Sequence, residues 1–284
     1  MPIRTSLTIA CTLCATLILA STTTLRPTAS TVVHSAAVGH VDDANDALRD
    51  PCVDAMRQPA PATFEITFGI NYGHFTATCE RATAPIWVDR VYNLARLGYY
   101  SDNYFLRVVN TEHLKIVQFG TAGDPSISNV YNWSTTTSKC AILEPQPPAM
   151  PYCLGSPPVA GSVCPPGVAG LSNTFGTLAM STSGTTTPAF PGGVTWNATA
   201  ELFINTGDNS WLDAQLFVPL CRIDAAGMAS VLRLPSFGEL AELGGPGPSL
   251  GRLYAEGNRY IESNASWSAM GKASSVRVSA KPTR

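Results

Sequence analysis

Apolar and polar side chains alternate along two short, neighbouring segments of the chain. In the segments 64–68 and 75–79 every second residue is apolar, and Asn71-Tyr72-Gly73 lies between them. Alternation with a period of two is typical of a strand that buries one face, and a short polar connection with glycine is typical of a turn. These two segments therefore predict a β-hairpin.

A helical pattern follows the hairpin. Pro85 stands where the first turn of a helix accepts proline, and Trp87, Val91 and Leu94 recur at helical spacing. Gly98 is the kind of residue that ends a helix. The pattern predicts a helix from Pro85 to Gly98.

Strand patterns also occur in five segments farther along the chain: 104–109, 116–119, 176–180, 200–205 and 217–223. Between the second and third of them, the composition changes to proline, serine, glycine and three cysteines. Such a stretch buries too little apolar surface to offset the entropy lost on ordering. We therefore interpret residues 126–172 as an insertion loop that disulfides hold, within one mostly β domain over residues 62–240.

Both ends of the chain differ from this domain in composition. Residues 1–20 have one basic residue, an apolar run and then small residues, which predicts a secretory signal peptide, with an uncleaved anchor as the alternative. Residues 21–61 are rich in Ser, Thr, Ala and Pro and are interpreted as a leader, with a short helix between about Asp42 and Met56. Residues 241–284 are expected to form a C-terminal tail that packs partly on the domain.

Cysteine usage agrees with a protein that enters the secretory pathway and is located either in that pathway or outside the cell. Beyond the apolar run, six cysteines remain, an even number, at positions 52, 79, 140, 153, 164 and 221. Disulfides are favoured over a zinc site because the histidines lie at no metal-ligand spacing. Three glycosylation acceptor triplets, at Asn132, Asn197 and Asn264, also suit an exported protein.

The charge and hydropathy of the chain exclude some partners. Its 18 basic and 20 acidic residues form no basic patch, so a nucleic-acid partner is not expected. The N-terminal apolar run is shorter than the roughly 20 residues that span a bilayer, so stable membrane insertion is not expected either.

Several segments, in consistent order and spacing, resemble the cyclophilin family of peptidyl-prolyl cis-trans isomerases, and in particular its divergent exported members. They are Ala84-Pro85 with 89–94 (Asp-Arg-Val-Tyr-Asn-Leu), 105–109 (Phe-Leu-Arg-Val-Val), 117–120 (Val-Gln-Phe-Gly), 176–180 (Gly-Thr-Leu-Ala-Met), 200–205 (Ala-Glu-Leu-Phe-Ile-Asn), 207–213 (Gly-Asp-Asn-Ser-Trp-Leu-Asp) and 255–260 (Ala-Glu-Gly-Asn-Arg-Tyr). The resemblance implies an eight-stranded antiparallel barrel capped by two helices, acting as a monomer on proline-containing polypeptides without a cofactor or metal.

The same resemblance implies roles for individual residues. Arg107 is the catalytic donor and Gln118 positions the substrate backbone. Met180, Phe203 and Leu212 line the pocket for the proline ring, and Trp211 is the position that contacts cyclosporin-type ligands. Five further substrate-binding positions carry residues that depart from the family pattern: Ile116, Ser181, Thr182, Glu201 and Leu216. The turn before Ile116, residues 110–115, is also three residues longer than usual.

The chemistry of the reaction suits these residue types. Amide resonance sets a barrier of roughly 18–20 kcal/mol for rotation about an X-Pro bond. A guanidinium can donate to the prolyl nitrogen without losing its proton, and an apolar pocket strengthens that contact by excluding water.

The departure at Glu201 leads to a specific expectation. A carboxylate near the catalytic guanidinium can only accept hydrogen bonds, so Glu201 is expected to pair with Arg107. This pairing would lower the pKa of Glu201 and reduce activity, and Glu201→Gln would then raise kcat/KM several-fold.

Two alternatives to an active isomerase remain open from the sequence. One is a binding or chaperone-like module that captures proline-containing segments and barely catalyses. The other is a surface or matrix protein whose working part is the cysteine-rich insertion.

Overall fold

A computed structural model describes residues 41–132, 140–141, 164, 170–186, 194–215 and 217–281. The predicted signal peptide, about half of the predicted leader, most of the predicted insertion, and Leu216 lie outside these ranges. Within them, the α-helices are α1 Val41–Arg49, α2 Pro85–Arg96, α3 Pro125–Ser128, α4 Ala225–Val231, α5 Leu250–Glu256 and α6 Asn258–Glu262. The strands are β1 Thr63–Ile70, β2 Gly73–Glu80, β3 Asn103–Tyr104, β4 Arg107–Asn110, β5 Lys115–Phe119, β6 Thr177–Thr186, β7 Val194–Asn205, β8 Pro219–Ile223 and β9 Lys272–Ala280.

The described strands form one antiparallel sheet in the order β3-β9-β1-β2-β8-β6-β7-β5-β4. The predicted mostly β, antiparallel fold is confirmed, with nine strands rather than eight. The pattern predicts one strand over residues 104–109, whereas the chain forms β3 and β4, which lie at opposite ends of the strand order.

This division of one predicted strand shows how the sheet curls. Phe105 is buried in the main core and Leu106 in a second apolar cluster, so the two residues between β3 and β4 face different interiors. The Cα atoms of Tyr104 and Arg107 are three peptide units apart and can be separated by at most about 11 Å. The two edges of the sheet must therefore lie close together, as in a barrel.

The main core lies inside this curled sheet. β1 buries every second residue, including Phe64, Ile66 and Phe68. The predicted hairpin with β2 is confirmed, with pairs from Thr63–Glu80 to Ile70–Gly73. Alternation along β1 therefore separates the core face from the solvent face, as the sequence pattern predicts.

Two helices pack against the sheet, α2 against β9 and α4 against β2. Helix α2 begins at Pro85 and buries Trp87, Val91 and Leu94, as its spacing predicts. None of the described helices is long and apolar enough to cross a membrane.

The C-terminal part of the chain belongs to the sheet and to a second core. Residues 272–280, which composition assigns to the tail, form β9 between β1 and β3. Before β9, residues from 237 to 270 surround Leu106 in the second apolar cluster, whose buried members also include Leu240, Leu253, Tyr260, Ile261, Trp267 and Met270. This C-terminal segment therefore packs directly beside β4.

Two disulfides have both cysteines within the described ranges, and each joins distant parts of the chain. Cys79 on β2 and Cys221 on β8 are directly opposite each other and both buried. Cys140 of the insertion pairs with Cys52, which confirms the prediction that a disulfide holds the insertion and shows that its partner lies outside it. Paired cysteines are typical of proteins that fold in an oxidising compartment.

Candidate active site

The register of the sheet brings the predicted site residues into one row. Arg107 on β4 is directly opposite Gln118 on β5, which is directly opposite Phe203 on β7. Ala179 on β6 is opposite Phe203. Directly opposite residues project to the same face of a sheet. Arg107, Gln118 and Phe203 are therefore neighbours, although 96 positions separate the first from the last.

The guanidinium of Arg107 is held by two side chains. Its Nε and Nη2 donate to the Glu239 carboxylate at 2.5 and 2.7 Å, and its Nη1 donates to Gln118 Oε1 at 3.1 Å. The Arg107 side chain is only 14% exposed. Its partner of opposite charge is thus Glu239, from the C-terminal segment.

A buried hydrogen-bonded chain continues from Gln118. Its Nε2 donates to Glu201 Oε2 at 2.8 Å, and the Tyr254 hydroxyl donates to Glu201 Oε1 at 2.9 Å. Because arginine can only donate and a carboxylate can only accept, the Gln118 amide must place its oxygen toward Arg107 and its nitrogen toward Glu201.

The expected pairing of Glu201 with Arg107 is wrong. Gln118 lies between them, and Glu201 is 2% exposed. Burial disfavours the charged form and raises the pKa of Glu201, although the hydrogen bonds from Tyr254 and Gln118 and the charge of Arg107 act in the opposite direction. The expected lowering of this pKa is therefore also wrong.

An outer apolar cluster adjoins the row on the same face. We define it by five buried residues, Val109, Ile116, Ala179, Phe203 and Leu212, with Leu114 and Phe217 partly buried against them. The rings of Phe203 and Phe217 meet edge to face, with centroids 5.8 Å apart. Phe203, Leu212 and Ile116 thus lie together, as the resemblance implies.

Met180 does not belong to this cluster. It is opposite Leu202, and both residues lie in the main core, because residues next to each other on a strand project to opposite faces. Ala179, and not Met180, is the residue of β6 that lies beside Phe203 in the outer apolar cluster. Ser181, half-buried, lies at a register shift between Met180 and Thr182, and Thr182 is buried.

Trp211 contacts the lengthened turn between β4 and β5. The residue is 40% exposed, and its Nε1 donates to the backbone carbonyl of His113 at 3.1 Å. Asn209 binds both the N–H and the carbonyl of Lys115, which holds the end of the turn. The lengthened turn, residues 110–115, is therefore hydrogen-bonded to Trp211 and Asn209 and lies beside the Trp211 ring.

The described ranges contain no group of three or more His, Cys, Asp and Glu side chains that could hold a metal ion. The chemistry available at the row is that of a guanidinium, an amide and an apolar surface.

Residues 63–236 match the model of the family described as cyclophilin type peptidyl-prolyl cis-trans isomerase/CLD. This match covers more than half of the chain. The protein belongs to the cyclophilin family. Arg107, Gln118, Glu201 and Phe203 all lie within the matched residues, whereas Glu239 and Tyr254 lie beyond them.

Solved cyclophilin structures also resemble the chain. A cyclophilin type peptidyl-prolyl cis-trans isomerase of Cryptosporidium parvum is 14% identical, with a TM-score of 0.39 over 78% of this chain and 99% of that one. The same protein in the presence of the dipeptide Ala-Pro is 13% identical, with a TM-score of 0.38 over 76% and 99%. A search of curated proteins found no match. Membership of the family rests on the family model.

Six residues at the site are not among those predicted from the sequence: Val109, Leu114, Ala179, Phe217, Glu239 and Tyr254. The first four are apolar residues within or next to predicted strands, and an apolar residue suits either face of a strand. Glu239 and Tyr254 follow the family match and have no local signal, because their role depends on contacts across more than 50 positions.

Replacing Glu201 with glutamine is expected to stabilise the protein at neutral pH. The folded protein holds the Glu201 proton more tightly than the unfolded chain, so wild-type stability falls as the pH rises from the ordinary value of 4.5 through the raised pKa. Glutamine does not titrate, so the stability of the variant does not fall in this way as the pH rises. Urea unfolding of both proteins at a series of pH values measures the difference.

A stability difference that does not change with pH would contradict the raised pKa. The same variant should change kcat/KM less than about threefold, because Glu201 does not contact the guanidinium. This replaces the several-fold increase expected from a direct Glu201–Arg107 pair.

Proposed function

We propose that this protein is a peptidyl-prolyl cis-trans isomerase acting on X-Pro bonds of exported or secretory-pathway proteins, with Arg107 polarising the prolyl nitrogen. The row of Arg107, Gln118 and Phe203 carries this proposal. An X-Pro segment has an apolar ring beside an amide nitrogen, and the row has an apolar cluster beside a guanidinium. The two halves of the substrate match the two halves of the site.

The proposed mechanism needs no proton transfer. The proline ring packs on the outer apolar cluster, and Nη1 of Arg107 donates to the prolyl nitrogen as the bond twists. Engaging the nitrogen lone pair reduces amide resonance, the source of the barrier of about 18–20 kcal/mol. A thousandfold acceleration requires only about 4 kcal/mol of preference for the twisted state. Gln118 Nε2 has a second hydrogen, which we assign to a substrate carbonyl.

Two further parts of the proposal concern location and ligands. The Cys52–Cys140 and Cys79–Cys221 disulfides support folding in the secretory pathway, and with it exported client proteins. The exposed ring of Trp211, beside Leu212 of the outer apolar cluster, supports binding of cyclosporin-type ligands at this edge.

An isomerisation assay of the purified protein on a proline-containing peptide tests the proposal. Phe203→Ala is expected to lower kcat/KM by about tenfold or more, because it removes the central ring of the outer apolar cluster. Phe175→Ala, at a phenylalanine that is 51% exposed, is the matched control and should retain activity. Wild-type protein that does not accelerate the exchange would contradict the proposal.

A catalytically weak proline-binding module is the second candidate. The observation that favours it is the ion pair of Arg107 with Glu239, which occupies two nitrogen atoms of the catalytic guanidinium. Such a module would bind the peptide without accelerating its isomerisation. Measuring peptide affinity beside the rate therefore distinguishes the two functions.

A further inference from the structure

Glu239 reaches the site from outside the family match. The match ends at residue 236, and Glu239 lies three residues later, in the segment that leads into the second apolar cluster. Its two carboxylate oxygens take the Nε and Nη2 hydrogens of Arg107. Paired contacts of this kind are both strong and geometrically specific.

Because Glu239 binds Nε and Nη2 of Arg107, its position also determines the direction in which Nη1 points. In a planar guanidinium, a carboxylate bound across Nε and Nη2 lies opposite Nη1. Nη1 contacts Gln118, and Gln118 lies between Arg107 and Phe203 in the row. Glu239 is therefore behind the guanidinium, and Nη1 faces the outer apolar cluster. One Nη1 hydrogen binds Gln118, and no residue in the described part of the chain accepts the second, which we assign to the substrate.

The backbone around Glu239 is tightly held. The Ser236 hydroxyl donates to the carbonyl of Val108 on β4, at 2.6 Å, and accepts from the N–H of Gly238. The N–H of Gly247 donates to the Glu239 carbonyl at 2.8 Å, and a Cβ at Gly245 would collide with that carbonyl. Leu240, the next residue, is buried in the second apolar cluster. These contacts hold the backbone of Glu239 beside β4.

We propose that Glu239 is a positioning residue, which the C-terminal segment supplies to aim Nη1 of Arg107 at the prolyl nitrogen. The inference rests on the proposed isomerase function. From the sequence, a carboxylate paired with Arg107 is expected to weaken the interaction of the guanidinium with the prolyl nitrogen of the substrate. The geometry leads to the opposite conclusion for Glu239, because the carboxylate binds the far edge of the guanidinium and the backbone that carries it is hydrogen-bonded in place.

Glu239→Gln tests this inference in the isomerisation assay. Glutamine keeps the size of the side chain but places an amide group, itself a donor, against a donor of Arg107, so the paired contact is lost. The expected result is a fall in kcat of about tenfold, with a smaller change in KM, because misplacing a catalytic group affects the transition state most. In an Arg107→Ala background, Glu239→Gln should cause no further loss.

Glu242→Gln is the matched control within the same segment. Glu242 accepts from the Ser249 hydroxyl and from the N–H groups of Leu250 and Gly251, at the start of α5, and has no contact with Arg107. Its replacement should lower the melting temperature and leave kcat unchanged.

The possible outcomes separate the inference from the proposed function. An active wild type whose Glu239→Gln variant has equal or higher kcat would overturn the positioning role alone and favour restraint of Arg107. An equal loss in the Arg107→Ala background, or a similar loss of kcat in Glu242→Gln, would also overturn it, because the effect would then not pass through the guanidinium. An inactive wild type would overturn both proposals.

Discussion

Replacing Arg107 with alanine is expected to lower kcat/KM for a proline-containing peptide by at least about tenfold. The variant loses the donor that faces the outer apolar cluster but retains Phe203, Leu212 and Ile116, which we propose bind the proline ring. Peptide affinity should therefore change less than the rate. The measurement is the isomerisation assay together with a direct binding titration of the same peptide.

Stability must be followed in the same experiment. Arg107 is largely buried, and its removal leaves the Glu239 carboxylate without a cation, so the melting temperature is expected to fall. Arg277→Ala is the matched control, since Arg277 is an exposed arginine on β9 of the same sheet.

Arg107→Lys retains the charge without the planar guanidinium and cannot bind Gln118 and Glu239 at the same time. It should be nearly as slow as the alanine variant. Full activity in Arg107→Ala would refute the assignment of the donor.

Removing the Cys79–Cys221 disulfide is expected to have the largest effect on stability. The cysteines are 142 positions apart, and in the chain-entropy account closing a loop of this length stabilises the folded state by about 4–5 kcal/mol. The double variant Cys79→Ala, Cys221→Ala also loses packing between β2 and β8, because both sulfur atoms are buried. Equilibrium unfolding in denaturant measures the loss.

The Cys52–Cys140 pair supplies the comparison. It closes a loop of 88 positions, so its entropic contribution should be similar, because that contribution depends only weakly on loop length. It lies outside the sheet, however, and its removal should cost less than removal of Cys79–Cys221. A Cys79→Ala, Cys221→Ala variant as stable as wild type would mean that the sheet does not depend on this disulfide.

The local pattern of residues determined several elements of the fold. The alternation in 64–68 and 75–79 is enough to predict the β1–β2 hairpin, since each strand buries one face and the turn residues lie between them. Pro85 and the apolar spacing after it are enough to predict α2. In both cases the signal lies within a few neighbouring residues.

The resemblance to a family placed Arg107, Gln118 and Phe203 in one site, and the register of three strands brings them into one row. The same reasoning assigned Met180 to the pocket. An apolar residue suits either face of a strand, so only the pairing of Met180 with Leu202 shows that it points into the core. Strand alternation separates two faces but does not state which one is inside.

The electrostatics of the site were decided by tertiary structure alone. From the sequence, Glu201 is the expected partner of Arg107, because the family pattern places the two positions near each other. In the folded protein Gln118 lies between Arg107 and Glu201, and the Tyr254 hydroxyl donates to Glu201. Arg107 pairs instead with Glu239, which is 132 positions away in the sequence. An ion pair depends on distances of a few ångströms and on burial, and the local sequence determines neither of these. The chain thus determined which chemical groups are available, and its folding determined which of them meet.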